Sequence, residues 1–102
     1  MQQDIKVAFS SKKYPLEVYV YAVSDWDGFD KLIQFMKTEY SVEIIECIDG
    51  PDARRCILKS EEKVFELRYD DPYGNSLVAI SESSVEIVRK IGKDLEGRLK
   101  KR

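Results

Sequence analysis

Two turn-forming stretches, Asp49-Gly50-Pro51-Asp52 and Asp70-Asp71-Pro72-Tyr73-Gly74-Asn75, constrain this chain more than any other feature. Proline removes an amide donor and glycine admits positive φ, so neither stretch can continue a strand or a helix. The segments around them carry strand patterns. Residues 42–48 read Val-Glu-Ile-Ile-Glu-Cys-Ile, 53–59 run through Arg54-Arg55-Cys56-Ile57-Leu58, and 63–69 set Phe65, Leu67 and Tyr69 against Glu66 and Arg68. Residues 76–81, around Leu77, Val78, Ala79 and Ile80, make a last short strand, and Ser60-Glu61-Glu62 reads as a hairpin connection. Short strands separated by short turns predict antiparallel pairing.

Two further strands precede them. In 5–9, Ile5, Val7 and Phe9 alternate with polar partners, and residues 10–15 form a loop ending at Pro15. In 16–23, Leu16, Val18, Val20 and Ala22 share one face, while Glu17, Tyr19, Tyr21 and Val23 share the other. Helical stripes complete the pattern. Trp26, Phe29, Leu32, Ile33, Met36 and Tyr40 recur at helical spacing after a Ser24-x-x-Asp27 capping signal. Val85, Val88, Ile91, Leu95 and Leu99 repeat the arrangement after Ser83 and Ser84. Gly28, Gly92 and Gly97 are expected to weaken these helices by propensity alone.

The order β-β-α-β-β-β-β-α predicts a single α+β domain over residues 1–102. Its architecture is two-layered, a mostly antiparallel meander sheet with both helices on one face. The stretches Asp49-Gly50-Pro51-Asp52-Ala53-Arg54 and Asp70 to Asn75 resemble the D-G-P-D-A-R and D-D-P-Y-G-N turns of small uncharacterised bacterial α+β proteins, a likeness spanning roughly residues 26–80. That resemblance implies no particular activity and assigns no functional residue.

Several chemistries drop out. The chain has no histidine, which removes His-based triads and nearly all catalytic zinc sites. Its five glycines are scattered singly, so no phosphate-binding loop exists. The reading is non-enzymatic and cofactor-free. No apolar run approaches the length of a membrane span. Met1-Gln2-Gln3-Asp4 lacks the basic and apolar regions of an export signal, so the expected location is cytoplasmic, with Cys47 and Cys56 as buried free thiols, although their spacing also permits a disulfide.

Charge is unevenly placed. Residues 1–88 carry 17 acidic and 10 basic side chains, whereas residues 89–102 carry seven basic and two acidic. An acidic body speaks against nucleic-acid binding and suits a basic protein partner. The leading expectation is therefore a protein-binding module of small inhibitor, immunity or adaptor type. Tyr19, Tyr21, Arg54, Arg55, Arg68 and Tyr73 are its candidate partner-binding residues, because Tyr and Arg dominate interface energetics. Edge strands and exposed aromatics leave a homodimer open. The alternative is a carboxylate-dependent metal or small-ligand domain, enzymatic or not, built on Asp49, Asp52, Asp70 and Asp71. Strand alternation brings the two Asp-rich turns to the same end of the sheet.

Overall fold

The computed structural model describes residues 5–71 and 73–100. Lys101 and Arg102 of the basic tail, Met1–Asp4 and Pro72 of the second turn lie outside the described residues. The elements follow the expected order: β1 (Ala8–Phe9), β2 (Leu16–Val20), α1 (Trp26–Tyr40), β3 (Glu43–Asp49), β4 (Ala53–Ser60), β5 (Lys63–Asp70), β6 (Gly74–Ala79) and α2 (Val85–Lys100), the last preceded by a 3-10 turn over Glu82–Ser84. All strand pairs are antiparallel.

The sheet is not a plain meander. Its order is β1-β2-β6-β5-β4-β3, so β1–β2 and β3 to β6 run as consecutive neighbours and the sequence order breaks only where β2 meets β6. The first hairpin pairs with the last strand, Leu16 opposite Ala79 and Val20 opposite Asn75. Helix α1 carries the chain from β2 to the far edge, where β3 begins.

One face of the sheet supplies the core. Leu16, Val18 and Val20 of β2, Leu77 and Ala79 of β6, Phe65 and Leu67 of β5, and Cys56 and Leu58 of β4 are all nearly inaccessible. They join Phe29, Leu32, Ile33 and Met36 of α1 and Val88, Ile91 and Leu95 of α2 in one apolar cluster. Removing such surface from water is the main stabilising term. The two helices also touch each other, since Tyr40 donates to Asp94 and Arg98 pairs with Glu39 at 3.0 Å.

Helix α1 starts one residue later than its capping signal suggests. Asp25, not Ser24, is the cap, and its carboxylate accepts the Gly28 amide at 2.7 Å. Gly28 is required there by packing, because a Cβ would lie 2.5 Å from the Val23 side chain. Gly92 is likewise a contact residue: a Cβ on it would sit 2.8 Å from the Phe9 ring and 3.0 Å from Val18. These glycines let α1 seat on its own entry loop and α2 approach β1 and β2, which outweighs their poor helix propensity.

The cysteines differ from expectation. Cys47 and Cys56 are directly opposed on β3 and β4 with Cα atoms 4.1 Å apart, and their sulfurs form a disulfide rather than two free thiols. Direct opposition across an antiparallel pair brings Cβ atoms close enough to bond, a geometry that sequence spacing alone does not reveal.

Candidate functional site

Alternation along the strands and the register between them define what the second face of the sheet displays. One transverse row reads Ala8, Tyr19, Ser76, Arg68, Arg55 and Ile48, from β1 across to β3. The row beside it reads Glu17, Val78, Glu66, Ile57 and Glu46. Between the rows run hydrogen bonds. Glu17 accepts from Ser76 Oγ at 2.8 Å and from Tyr19 Oη at 3.0 Å, and Arg68 Nε donates to Glu66 at 2.7 Å. The bond to Glu17 holds the Tyr19 phenol above its usual pKa, with burial adding to the effect. Tyr21 continues the face beyond β2, stacked on Tyr19 at 5.9 Å between ring centroids.

Four of the six candidate partner residues therefore share this face: Tyr19, Tyr21, Arg55 and Arg68. Arg55 and Arg68 stand directly opposite each other, an arrangement unfavourable between like charges unless something neutralises them. Glu66 does so for Arg68. Near the end of the β3–β4 hairpin, Ile48, Ala53, Arg55 and Asp70 line a shallow hollow of about 420 Å³.

The other two candidates lie elsewhere. Arg54 points to the core face, where its guanidinium donates to both Asp30 oxygens at 3.0 and 3.1 Å, to Asp49 at 3.2 Å and to the Trp26 carbonyl at 3.2 Å. It also covers the rings of Trp26 and Phe29 at 4.7 and 4.4 Å. Arg54 thus bolts α1 to the β3–β4 hairpin. Its neighbour in sequence faces the opposite way because strand side chains alternate. Tyr73 sits in the β5–β6 turn and is 78% exposed.

The Asp-rich turns do lie side by side, as strand alternation requires: the Asp71 amide donates to the Asp52 carbonyl at 3.0 Å. Asp49 is committed to Arg54, and among the described residues no group of three or more acidic or cysteine side chains converges closely enough to hold a metal ion.

Sequence reasoning missed strand β3 as a surface. Every one of its residues is exposed, including Ile44, Ile45 and Ile48 at 41, 52 and 49%. Among the described residues it ends the sheet, and the backbone groups on its outer side have no strand partner there. Its charges are Glu43, Glu46 and Asp49, with no cation on the strand. A register shift between Ile44 and Glu46 brings Glu43 and Glu46 onto one face, opposite Lys59 and Ile57. Lys59 pairs with Glu62 at 3.7 Å, so neither carboxylate has an ion pair among the described residues. The readable signal was acid at every third position around two adjacent isoleucines.

The chain matches no protein-family model, no curated protein and no solved structure. Among the described residues, no helix is long and apolar enough to cross a membrane.

Proposed function

We propose that the chain is a non-enzymatic protein-binding module, of the small inhibitor, immunity or adaptor kind, that receives an extended basic segment of its partner along β3. The observation that carries this reading is the exposed acidic edge strand. Unpaired edges are templates for strand addition, and main-chain hydrogen bonds with alternate side-chain contacts then supply affinity and specificity. Glu43 and Glu46 would meet Lys or Arg on the partner, while Ile44, Ile45 and Ile48 would be covered. The acidic surplus of residues 1–88 would steer a basic partner toward the encounter.

In this reading both helices cover the core face, a placement supported by their mutual contacts and their shared apolar cluster. The face of Tyr19, Tyr21, Arg55 and Arg68 then stays free to extend the interface beyond the edge. The Cys47–Cys56 bond ties the docking strand to β4, so little order need be gained on binding. It also favours an oxidising setting over the cytoplasmic one, because thiols persist reduced in the cytosol.

A second copy of the chain is the less favourable occupant. In a two-fold antiparallel pairing centred on Glu46, that residue faces itself and Glu43 faces Asp49. Moving the two-fold centre by one residue along the strand sets Glu46 against Ile44 or Ile48 instead, and still gathers the carboxylates of both strands without a cation on either. Like charges at such spacings oppose pairing.

The test compares wild type with Glu43→Lys/Glu46→Lys in co-purification from the host at low salt. Wild type should retain a basic protein in stoichiometric amount, and the variant should lose it. A wild-type protein that stays monomeric and retains no stoichiometric partner refutes the proposal.

A further inference from the structure

At the opposite edge of the sheet from β3, the β1–β2 loop and α2 enclose a cleft of about 710 Å³ lined by Phe9, Ser11, Lys12, Lys13, Arg89 and Lys93. The volume is in the range of small-molecule sites. Its charge is the reverse of the rest of the body. Four cations surround it and none of its lining residues is acidic. Of these four, only Lys93 has an ion pair among the described residues, to Glu96 at 3.8 Å. Glu82 and Glu86 do not line the cleft, but they line an adjoining hollow that shares Lys12, Lys13 and Arg89 with it.

The walls are apolar beneath that charge. The Phe9 ring is held against Gly92 and Val18, and the Lys93 ammonium lies 4.9 Å from its centroid. Long basic side chains of this kind line apolar ground with their stems and keep their charges at the rim. The loop is also preformed. Arg89 donates to the Lys12 carbonyl, Ser11 Oγ donates to the Pro15 carbonyl at 2.8 Å, and Ser10 Oγ accepts the Glu17 amide at 2.9 Å. These bonds fix Lys12 and Lys13 over α2 before any ligand arrives.

We infer that this cleft binds an amphiphilic anion, a carboxylate or phosphate attached to an alkyl or aromatic body. The anionic group sits among Lys12, Lys13 and Arg89, and the apolar body lies along Phe9 and the lysine stems. A bare anion would use only the rim, and an uncharged chain only the walls. The site is separate from β3 and stands whether or not a protein partner docks there.

The test uses octanoate, acetate and octanol as probes, followed by amide chemical shifts. Octanoate should bind at least about tenfold more tightly than acetate or octanol, with shifts centred on Phe9, Gly92 and Lys93. Lys12→Glu/Lys13→Glu should weaken octanoate by about tenfold or more. Lys31→Glu/Lys37→Glu, which makes the same charge change on α1, should leave it unaltered. Equal affinity for acetate and octanoate, shifts centred elsewhere, or equal losses in both variants would each overturn the assignment. Vesicles of anionic and of neutral lipid distinguish a membrane-borne headgroup from a free anion: retention on anionic vesicles only, lost in Lys12→Glu/Lys13→Glu, assigns the lipid source, and octanoate binding without retention assigns the free one.

Discussion

Replacing Arg54 by alanine separates a structural bolt from a binding residue. The side chain is 12% exposed and makes four hydrogen bonds, three of them to carboxylates. Hydrogen bonds between charged groups are worth about 1.5–3 kcal/mol when sheltered. Asp30 and Asp49 are 63 and 49% exposed, however, and regain water when the guanidinium leaves. That discounts each ion pair to about 0–1 kcal/mol. Ring coverage of Trp26 and Phe29 adds about 1 kcal/mol, and the buried stem adds about 0.8 kcal/mol for each methylene lost. The sum is about 3 kcal/mol, equivalent to a fall of roughly 12–24 °C in Tm for a domain of this size. Arg54→Lys keeps charge and stem but loses the fork, so about 1 kcal/mol should be lost. Thermal and urea unfolding followed by circular dichroism read both changes. If Arg54→Ala lowers Tm by less than about 3 °C, the clasp is not holding α1 to the hairpin, and Arg54 returns to the list of surface candidates.

Four other expectations follow from the same packing. Glu61 and Glu62 hold φ of 53° and 66°, a left-handed pair that suits Asn-Gly far better; Glu61→Asn/Glu62→Gly should raise the unfolding free energy by about 1 kcal/mol in urea. Gly92→Ala should lower it by about 1–3 kcal/mol through overpacking against Phe9 and Val18, although alanine is the better helix former. Reducing the Cys47–Cys56 bond, which spans nine residues of sequence, should lower stability by about 2 kcal/mol in denaturant titrations with and without reductant. Asp94 is held below the usual aspartate range by the Arg98 hydrogen bond first and the Tyr40 hydroxyl second. A depressed folded value contributes stability above the unfolded pKa of about 4 and loses it as pH falls through the folded one. The stability gap between wild type and Asp94→Asn should therefore close on acidification below about pH 4, and a gap constant from neutral to acid pH would refute that role.

The local elements were legible because their signals are local. The stripe from Trp26 to Tyr40 gave α1 its observed bounds, and alternation in β2 placed Tyr19 on the face away from Val18. The Ser24-x-x-Asp27 spacing points to Ser24 as the cap, yet Asp25 satisfies the Gly28 amide. What remained hidden depends on register between distant segments. That β2 joins β6, that Cys47 meets Cys56, and that Arg54 and Arg55 serve opposite faces all follow from pairing that no single segment encodes. The edge position of β3 was unreadable for the same reason: strand order, not strand composition, decides which strand lacks a neighbour. Pattern did mark Tyr19, Tyr21, Arg55 and Arg68, and the fold places them together, while the cleft of Lys12, Lys13, Arg89 and Lys93 joins residues too far apart in the chain to suggest each other.

The seam between β2 and β6 has a kinetic side. Leu16 cannot find Ala79 until everything between them has been synthesised, so the opening hairpin waits while β3, β4 and β5 are already able to zip together. Loop-closure entropy makes such a late, long-range join slow relative to the hairpins. Until that seam shuts, the inner edge of the three-strand ribbon and the apolar side of β2 both face water, and it is in this interval that the young chain is most exposed to misassembly.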